Sequence, residues 1–310
     1  MKKPRILVVG SSNTDMIIKL DRIPRPGESL LGGKFAIAPG GKGANQAVAA
    51  ARAGGDVTLV ARVGRDMFGD QALAGFKADN INTRHIQRDA GAPSGVALIF
   101  VAQSGENSIA VASGANGRLA PTDVLAAEKS LSGAKALVTQ LETPLSTVSA
   151  AIRLAKKHGV PVILNPAPAA KLPASLLKLV TILTPNETEA EFLTGIKITD
   201  DATARDAAQA LLAKGVRNVI ITLGKRGAYL RNATDDVFIP AHKVKPVDTT
   251  AAGDTFNGAL AVALAEGRDL AEAIRFANAA AAISVTRLGA QPSAPARPEI
   301  ERLMKKSLKP

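Results

Sequence analysis

Arg5-Ile6-Leu7-Val8-Val9-Gly10 is a compact apolar run that stops at a glycine, and its reading as a short strand decides the fold. The same signature returns at 57–63, 136–140, 160–164, 180–184 and 218–223. Ala-rich stretches with helical character lie between these runs, at 44–53, 69–78, 145–158, 187–194 and 202–214. Many close at or near glycine, as helix C-termini do. Two further helices, 253–266 and 270–285, end the pattern. Strands alternating with helices mark an α/β fold built on a largely parallel sheet.

Two regions break the alternation. Residues 16–39 and 95–115 hold strand-like runs, among them Ile17-Ile18, Val96 to Val101 and Ile109-Ala110-Val111, with turn signals such as Pro26-Gly27 and Gly32-Gly33 and no helix between. They are expected to form a small β-sheet outside the main one, acting as a lid over a cleft; a decorative insertion is the plainer alternative. Repeats, low-complexity segments and long linkers are absent, so one domain over 1–310 with an appended sheet is the economical organisation.

The bulk composition narrows the function classes. The chain of 310 residues is 46% hydrophobic, enough for a sizeable core. Its formal net charge of +12 suits an anionic partner in general, or simply a solvated surface. The basic residues are scattered; the densest group, Lys305, Lys306 and Lys309, lies at the C-terminus. One Tyr and no Trp leave little to stack on bases, and no DNA-binding module is visible, so nucleic acid is not the expected partner. The absence of Cys excludes disulfides and thiolate metal sites, and His85, His158 and His242 are too dispersed to suggest a zinc centre. Met1-Lys2-Lys3 before Ile6 to Val9 imitates a leader, but the apolar run is too short, and no uninterrupted apolar stretch spans a bilayer. A cytoplasmic protein without a membrane partner is expected.

Five segments carry chemistry. In Gly40-Gly41-Lys42-Gly43-Ala44-Asn45 a glycine run enters a helix. Glycine permits close backbone approach, and a helix start offers N–H groups to oxygen-rich ligands. Asn45 both donates and accepts, as a polyol requires. The alternative is a mere tight turn, and the pattern is neither a Walker A loop nor G-x-G-x-x-G. Asn13-Thr14-Asp15 follows the first strand, where open α/β sheets bind ligands, and can hold vicinal hydroxyls unless it is only an Asx turn. Asp248-Thr249-Thr250-Ala251-Ala252-Gly253-Asp254 sets two carboxylates around a small-residue turn that opens a helix. The N–H groups of Ala251, Ala252 and Gly253 suit an anion hole, and Asp254 suits a base, which together serve phosphoryl transfer. An N-cap Asp beside structural Gly is the alternative. Asn186 and Glu189, at a strand-to-helix junction, match either a site for Mg²⁺ held through water or a capping box. Thr222-Leu223-Gly224-Lys225-Arg226-Gly227 suits a nucleotide's phosphates or, in isolation, a hairpin turn.

In their order, Asn13-x-Asp15, Gly40-Gly41-Lys42-Gly43-x-Asn45, Asn186-x-x-Glu189 and Asp248-Thr249-x-x-x-Gly253-Asp254-Thr255-Phe256 resemble the ribokinase family of sugar kinases, with Gly289-Ala290-Gln291-Pro292-Ser293 in support. The resemblance runs over roughly residues 5–293. It implies a three-layer α/β/α sandwich with a mostly parallel central sheet and a small β-sheet lid. It also implies transfer of the γ-phosphoryl group of MgATP to O5 of D-ribose. Another furanose, a nucleoside or a keto-sugar acid is the alternative acceptor, and a sugar or nucleotide sensor without turnover the alternative class.

Residue by residue, Asp254 resembles the family's base, and 251–253 its anion hole. Asn13, Thr14, Asp15, Gly41, Lys42, Gly43, Ala44, Asn45 and Glu142 match sugar positions. Asn186, Glu189, Thr222, Leu223, Gly224, Lys225, Arg226, Gly227, Gly253 and Asn278 match nucleotide positions, Glu189 being tied to Mg²⁺. A K⁺ site is implied at Asp248, Thr250, Ser284, Arg287, Gly289 and Ser293, several through backbone carbonyls. Many members have Gly at the position of Ala251. Ala97, Ile99 and Val111 are expected to form the lid face over C1 of the sugar, and a homodimer through the lid sheet is implied.

Overall fold

The computed structural model describes residues 3–104 and 106–307. Met1 and Lys2 of the leader-like start, Gly105 of the second lid segment and Lys309 of the basic cluster lie outside the described residues.

The first half runs β1 (Arg5–Val9), β2 (Asn13–Leu20), β3 (Lys34–Gly40), α1 (Lys42–Arg52), β4 (Asp56–Gly64), α2 (Met67–Ala78), β5 (Asn82–Asp89), β6 (Gly95–Ala102), β7 (Asn107–Ala112), α3 (Pro121–Ala126), α4 (Glu128–Leu131) and β8 (Ala136–Thr139). The second half runs α5 (Leu145–Lys157), β9 (Val162–Leu164), α6 (Ala174–Leu177), β10 (Ile182–Leu183), α7 (Glu187–Thr194), α8 (Asp201–Ala213), β11 (Asn218–Thr222), β12 (Ala228–Arg231), β13 (Asp236–Ile239), α9 (Ala252–Ala265), α10 (Leu270–Ser284) and α11 (Arg297–Ser307).

The large sheet has the order β13-β12-β11-β10-β9-β8-β1-β4-β5, parallel from β11 through β5, with an antiparallel hairpin at the β13 edge. Successive side chains of β1 point to opposite faces. Ile6 and Val8 enter one core with α1, α9 and α10, and Leu7 and Val9 enter the other with α5 and α8. Helices therefore cover both faces, which explains why β1 is apolar at every position from Ile6 onward. This is the three-layer arrangement expected. Among the described residues no helix is long and apolar enough to cross a membrane.

The small sheet has the order β3-β2-β6-β7. Its central pair, β2 with β6, runs parallel from Asn13↔Gly95 to Leu20↔Ala102. The expected lid strands therefore exist, but the sheet starts at Asn13 rather than 16, so Asn13, Thr14 and Asp15 are the root of a lid strand.

Several elements fell outside the reading of the chain, among them the short helices α3, α4 and α6. β5 is a polar edge strand with only Ile86 and Asp89 buried, so it lacks an apolar run. The β12–β13 hairpin follows the 222–227 turn, and α11 is a charged helix that buries Ile300 against the first core. The run expected at 180–184 is a strand over Ile182–Leu183, flanked by Thr181 N–H and Thr184 N–H donating to Val162 O and Leu164 O of β9, and Pro185 follows.

Candidate active site

β1 is the point where the strand order reverses: the chain leaves it towards β4 on one side and later returns beside it as β8 on the other. Crevices at such points, beyond the carboxyl ends of the strands, bind ligands. Ser11 to Asp15 follow β1, Glu142 follows β8, Asn165 follows β9, and Asn186 follows β10.

The glycine run lies here because β3 ends at Gly40 and α1 starts at Lys42. Gly41 caps α1 at φ 88°, a left-handed conformation that glycine takes without cost. Gly43 has no room for a side chain, since a β-carbon would stand 2.5 Å from the Ser11 nitrogen. The amides at the start of α1 are not free, which corrects one expectation. Lys42 N–H donates to Glu142 Oε2 at 3.0 Å, Gly43 N–H to Ser11 Oγ at 3.2 Å, and Ala44 N–H to Ser11 O at 2.8 Å. Ser11 Oγ in turn donates to Glu142 Oε2 at 2.5 Å. Glu142 therefore ties β8 to the head of α1 and leaves its other oxygen outside this set of bonds.

Asp254 sits in the first turn of α9 and is buried. Asn45 Nδ2 donates to its Oδ2 at 3.0 Å, and Gln46 Nε2 to its Oδ1 at 2.9 Å. Burial pushes the Asp254 carboxyl up; the Lys42 charge and the two amide hydrogen bonds pull it part of the way back. The Lys42 ammonium is itself buried, which opposes its charge, but Asp254, Glu142, Glu189 and Asp15 around it hold it protonated more firmly than usual. Asp15 is pushed up to about 6 by burial, then by Glu142 and Asp254. Asn13 accepts from Asn116 Nδ2 at 2.7 Å, and Asn116 also binds both the N–H and the carbonyl of Ser12. Asn45 Oδ1 is buried without a hydrogen-bond partner, an acceptor available to a hydroxyl.

Ala251, the residue before α9, takes φ 56° in the left-handed region. Ala252 N–H is engaged with Thr249 O at 3.2 Å, so of the expected anion-hole donors it is the one already bonded. Gly253 faces open space, with nothing within 4 Å of where a β-carbon would stand, and amides in the first turn of a helix have no intrahelical acceptor.

On the expected nucleotide side, Asn186 caps α7 and Glu189 closes the reciprocal box: Glu189 N–H donates to Asn186 Oδ1 at 2.8 Å and Asn186 N–H to Glu189 Oε2 at 2.9 Å. The capping reading is therefore correct, and it leaves Glu189 inside the field of Lys42 and Asp254. Thr222, Leu223, Gly224, Lys225, Arg226 and Gly227 form the turn of the β11–β12 hairpin beside Asn186, closed by Leu223 N–H to Gly227 O at 2.8 Å. Arg226 is pinned to Glu187 and Asp201. Asn278, on α10, donates to the carbonyls of Ile239 and Pro240, 3.2 Å each, and so holds the end of β13.

The expected cation residues are brought together in part. Asp248 accepts from Thr250 N–H and Gly289 N–H, both at 2.9 Å, and Val285 O receives Val247 N–H and Asp248 N–H. Burial pushes the Asp248 carboxyl up, but the Thr250 side chain and the two amides together hold it below the usual range. Arg287 N–H donates to Ser284 O at 3.0 Å, and its guanidinium pairs with Glu299. Ser293 Oγ donates to Ala290 O at 2.7 Å.

Several residues escaped the sequence reading: Ser11, Gln46, Asn116, Gln140 and Asn165. All are buried polar groups. Asn165 carried a usable signal, being the polar residue directly after an apolar strand; Gln46 carried one as an amide within an Ala-rich helix.

Residues 3–297 match the model of the pfkB family of carbohydrate kinases. The chain is 48% identical to the ribokinase of Haemophilus influenzae over 294 residues, 95% of this chain and 96% of that one. It is 41% identical to a deoxyribokinase of Salmonella typhi, over 94% and 95% of the two chains. Among solved structures, Arabidopsis thaliana ribokinase complexed with ribose and ATP superposes with a TM-score of 0.90 at 33% identity, over 98% of this chain and 99% of that one. The fold, the convergence of residues at its switch point and these likenesses lead to one statement: the chain belongs to the pfkB family of carbohydrate kinases.

Proposed function

We propose that this protein phosphorylates D-ribose at O5 with ATP, giving D-ribose 5-phosphate and ADP. The observation that carries the reading is Asp254, a buried carboxylate at the head of α9 whose two oxygens are gripped by Asn45 and Gln46. As O5 forms its bond to the γ-phosphorus, its proton passes to Asp254. The bond from that phosphorus to the β,γ-bridging oxygen breaks, and ADP leaves with the electron pair. The Gly253 amide and the Lys42 ammonium are assigned to support the negative charge of the transferring group.

Asn13, Asp15, Asn45 and Glu142 are assigned to the sugar hydroxyls, with the orphaned Asn45 Oδ1 as one acceptor. Strand register supports the lid assignment: Asp15 pairs with Ala97, Ala97 with Val111, and Ile17 with Ile99, so Ala97, Ile99 and Val111 share the sheet face of Asp15. A nucleoside would need its base accommodated against that face.

Mg²⁺ retains most of its waters and takes one or two carboxylates with substrate phosphates, so Glu189 suffices as its protein anchor; bound with ATP it would neutralise phosphate charge. One ionised carboxylate, Asp248, together with backbone carbonyls from among Thr250, Ser284, Arg287, Gly289 and Ser293, would suit a singly charged hard cation such as K⁺. We take 1–310 as a single kinase domain with a lid from 16–39 and 95–115, working in the cytoplasm as a homodimer joined through the lid sheet.

Asp254→Asn is the test. It should lower kcat at least about 10²-fold while ribose binding persists, as expected when a positioned base is lost. Turnover near that of the parent enzyme would end this reading.

A further inference from the structure

Beneath Asp254 lies a continuous chain of buried hydrogen bonds that the proposed chemistry does not use. Gln46 is its hub, fully buried on α1. Its Nε2 donates both to Asp254 Oδ1 at 2.9 Å and to Asn165 Oδ1 at 3.2 Å, and its Oε1 accepts from Gln140 Nε2 at 2.6 Å. Asn165 Nδ2 donates to Thr184 O at 3.3 Å, Thr184 Oγ1 to Asn257 Oδ1 at 2.7 Å, and Asn257 Nδ2 to Gly253 O at 2.8 Å. The chain thus leaves the Asp254 carboxylate, crosses the ends of β8, β9 and β10, and returns to the peptide immediately before Asp254.

This geometry points to Gln46 as a positioning residue for the phosphoryl-transfer reaction: it fixes the rotamer of Asp254 and favours its ionised, proton-accepting form, while the rest of the chain fixes the α9 turn that presents it. An inward amide among apolar residues has no packing reason to be there, and an unsatisfied one is costly. Each Gln46 atom in this arrangement has a partner, and one partner is the base. A donor to a carboxylate stabilises the charged form. The other charged groups facing Asp254 are Lys42 on α1, Glu142 after β8, Asp15 on β2 and Glu189 on α7; Lys42 acts in the same direction as Gln46, and the three carboxylates oppose it.

The inference rests on Asp254 being the base, and the test separates the two. In Gln46→Leu the donor is lost, so Asp254 keeps its proton to a higher pH. The acid limb of the kcat profile with saturating ribose and MgATP should move to higher pH, by at least about half a unit, and kcat on the plateau should fall about 10-fold, with the ribose KM changed less than about threefold. Gln140→Leu touches Gln46 but not Asp254 and should move the limb the same way by less. If Gln46→Leu fails to fold, Gln140→Leu carries the test alone. An acid limb that stays in place in the folded variants overturns the inference even where kcat falls, since a merely structural loss lowers rate equally at all pH values. Turnover surviving in Asp254→Asn would instead overturn the reading of the base itself.

Discussion

At the scale of the residue, the site is a negotiated arrangement of buried charge. Asp15, Glu142, Glu189 and Asp254 surround one ammonium, Lys42, and a lone cation does not balance that many carboxylates in a poorly solvated place. The excess appears as the elevated Asp15 carboxyl, about 6 against the usual 3.8. A carboxyl raised in the folded state binds its proton more tightly there than in the unfolded chain, so its contribution to stability falls as pH rises from about 4 to about 6. Asp15→Asn removes this cost, at most about 3 kcal/mol for a shift of this size. The variant should melt several degrees above the parent at pH 7.5, lose the gain near pH 4, and bind ribose more weakly; equal melting temperatures at both pH values would contradict this account. Asn13 and Asp15 were legible in the chain because they follow an apolar strand, and Asn45 and Asp254 because each stands in a glycine-bearing turn that opens a helix, whereas Glu142 was reached through the family resemblance. Gln46 and Asn165 stood out as polar residues but their partners did not, and Gln140 and Asn116 gave no signal, because those partners are set by strand order: Asn116 reaches Ser12 and Asn13 across about a hundred residues of chain.

At the scale of the element, two structures deliver these residues. β2 is continuous from Asn13 to Leu20, so the strand that carries the residues proposed for the sugar is also a strand of the lid sheet. Gly95 pairs with Asn13, and a β-carbon there would run into both Asn13 Oδ1 and Asn116 Nδ2. Gly95→Ala should therefore raise the ribose KM at least about tenfold with a smaller effect on the ATP KM, the loss of a hydrogen bond in a buried site being of that order; unchanged ribose kinetics would show that the root of the lid does not position Asn13. The second structure is the turn before α9. Ala251 occupies a left-handed conformation that costs an L-residue about 1–2 kcal/mol and glycine almost nothing. After allowance for the greater freedom of glycine in the unfolded chain, Ala251→Gly should stabilise the protein by about 1 kcal/mol in denaturant unfolding and leave turnover intact. The strand–helix alternation was plain in the sequence because most strands are buried on both faces; β5 and α11, with one face in solvent, lacked that signal.

At the scale of the molecule, two surface features find physical explanations. Lys3, Arg5, Lys135, Arg268 and Arg297 surround a cleft of about 900 Å³ by the amino-terminal ends of β1 and β8, opposite the site. α1 and α9 end there, at Ala53 and Glu266, and cations are favoured at helix C-termini. Part of the net charge of +12 is thus matched to helix ends. The lid sheet, by contrast, exposes Phe35 and Leu98 on one face and Ile109 and Val111 on the other. Contiguous exposed apolar area on a small sheet calls for a cover. Light scattering should return a dimer at micromolar concentration, and the double substitution Phe35→Glu/Ile109→Glu, charging both faces, should return a monomer; a monomeric parent protein would remove the lid interface from the account.

The most direct test of the central claim is ADP release with MgATP over D-ribose, 2-deoxyribose, fructose and adenosine, with K⁺ or with Na⁺ alone, and with the phosphorylated position of the product read by NMR. The account predicts the highest kcat/KM on D-ribose, a 5-phosphate product and stimulation by K⁺. Stronger turnover on adenosine or fructose, or phosphate on a ribose oxygen other than O5, would contradict it.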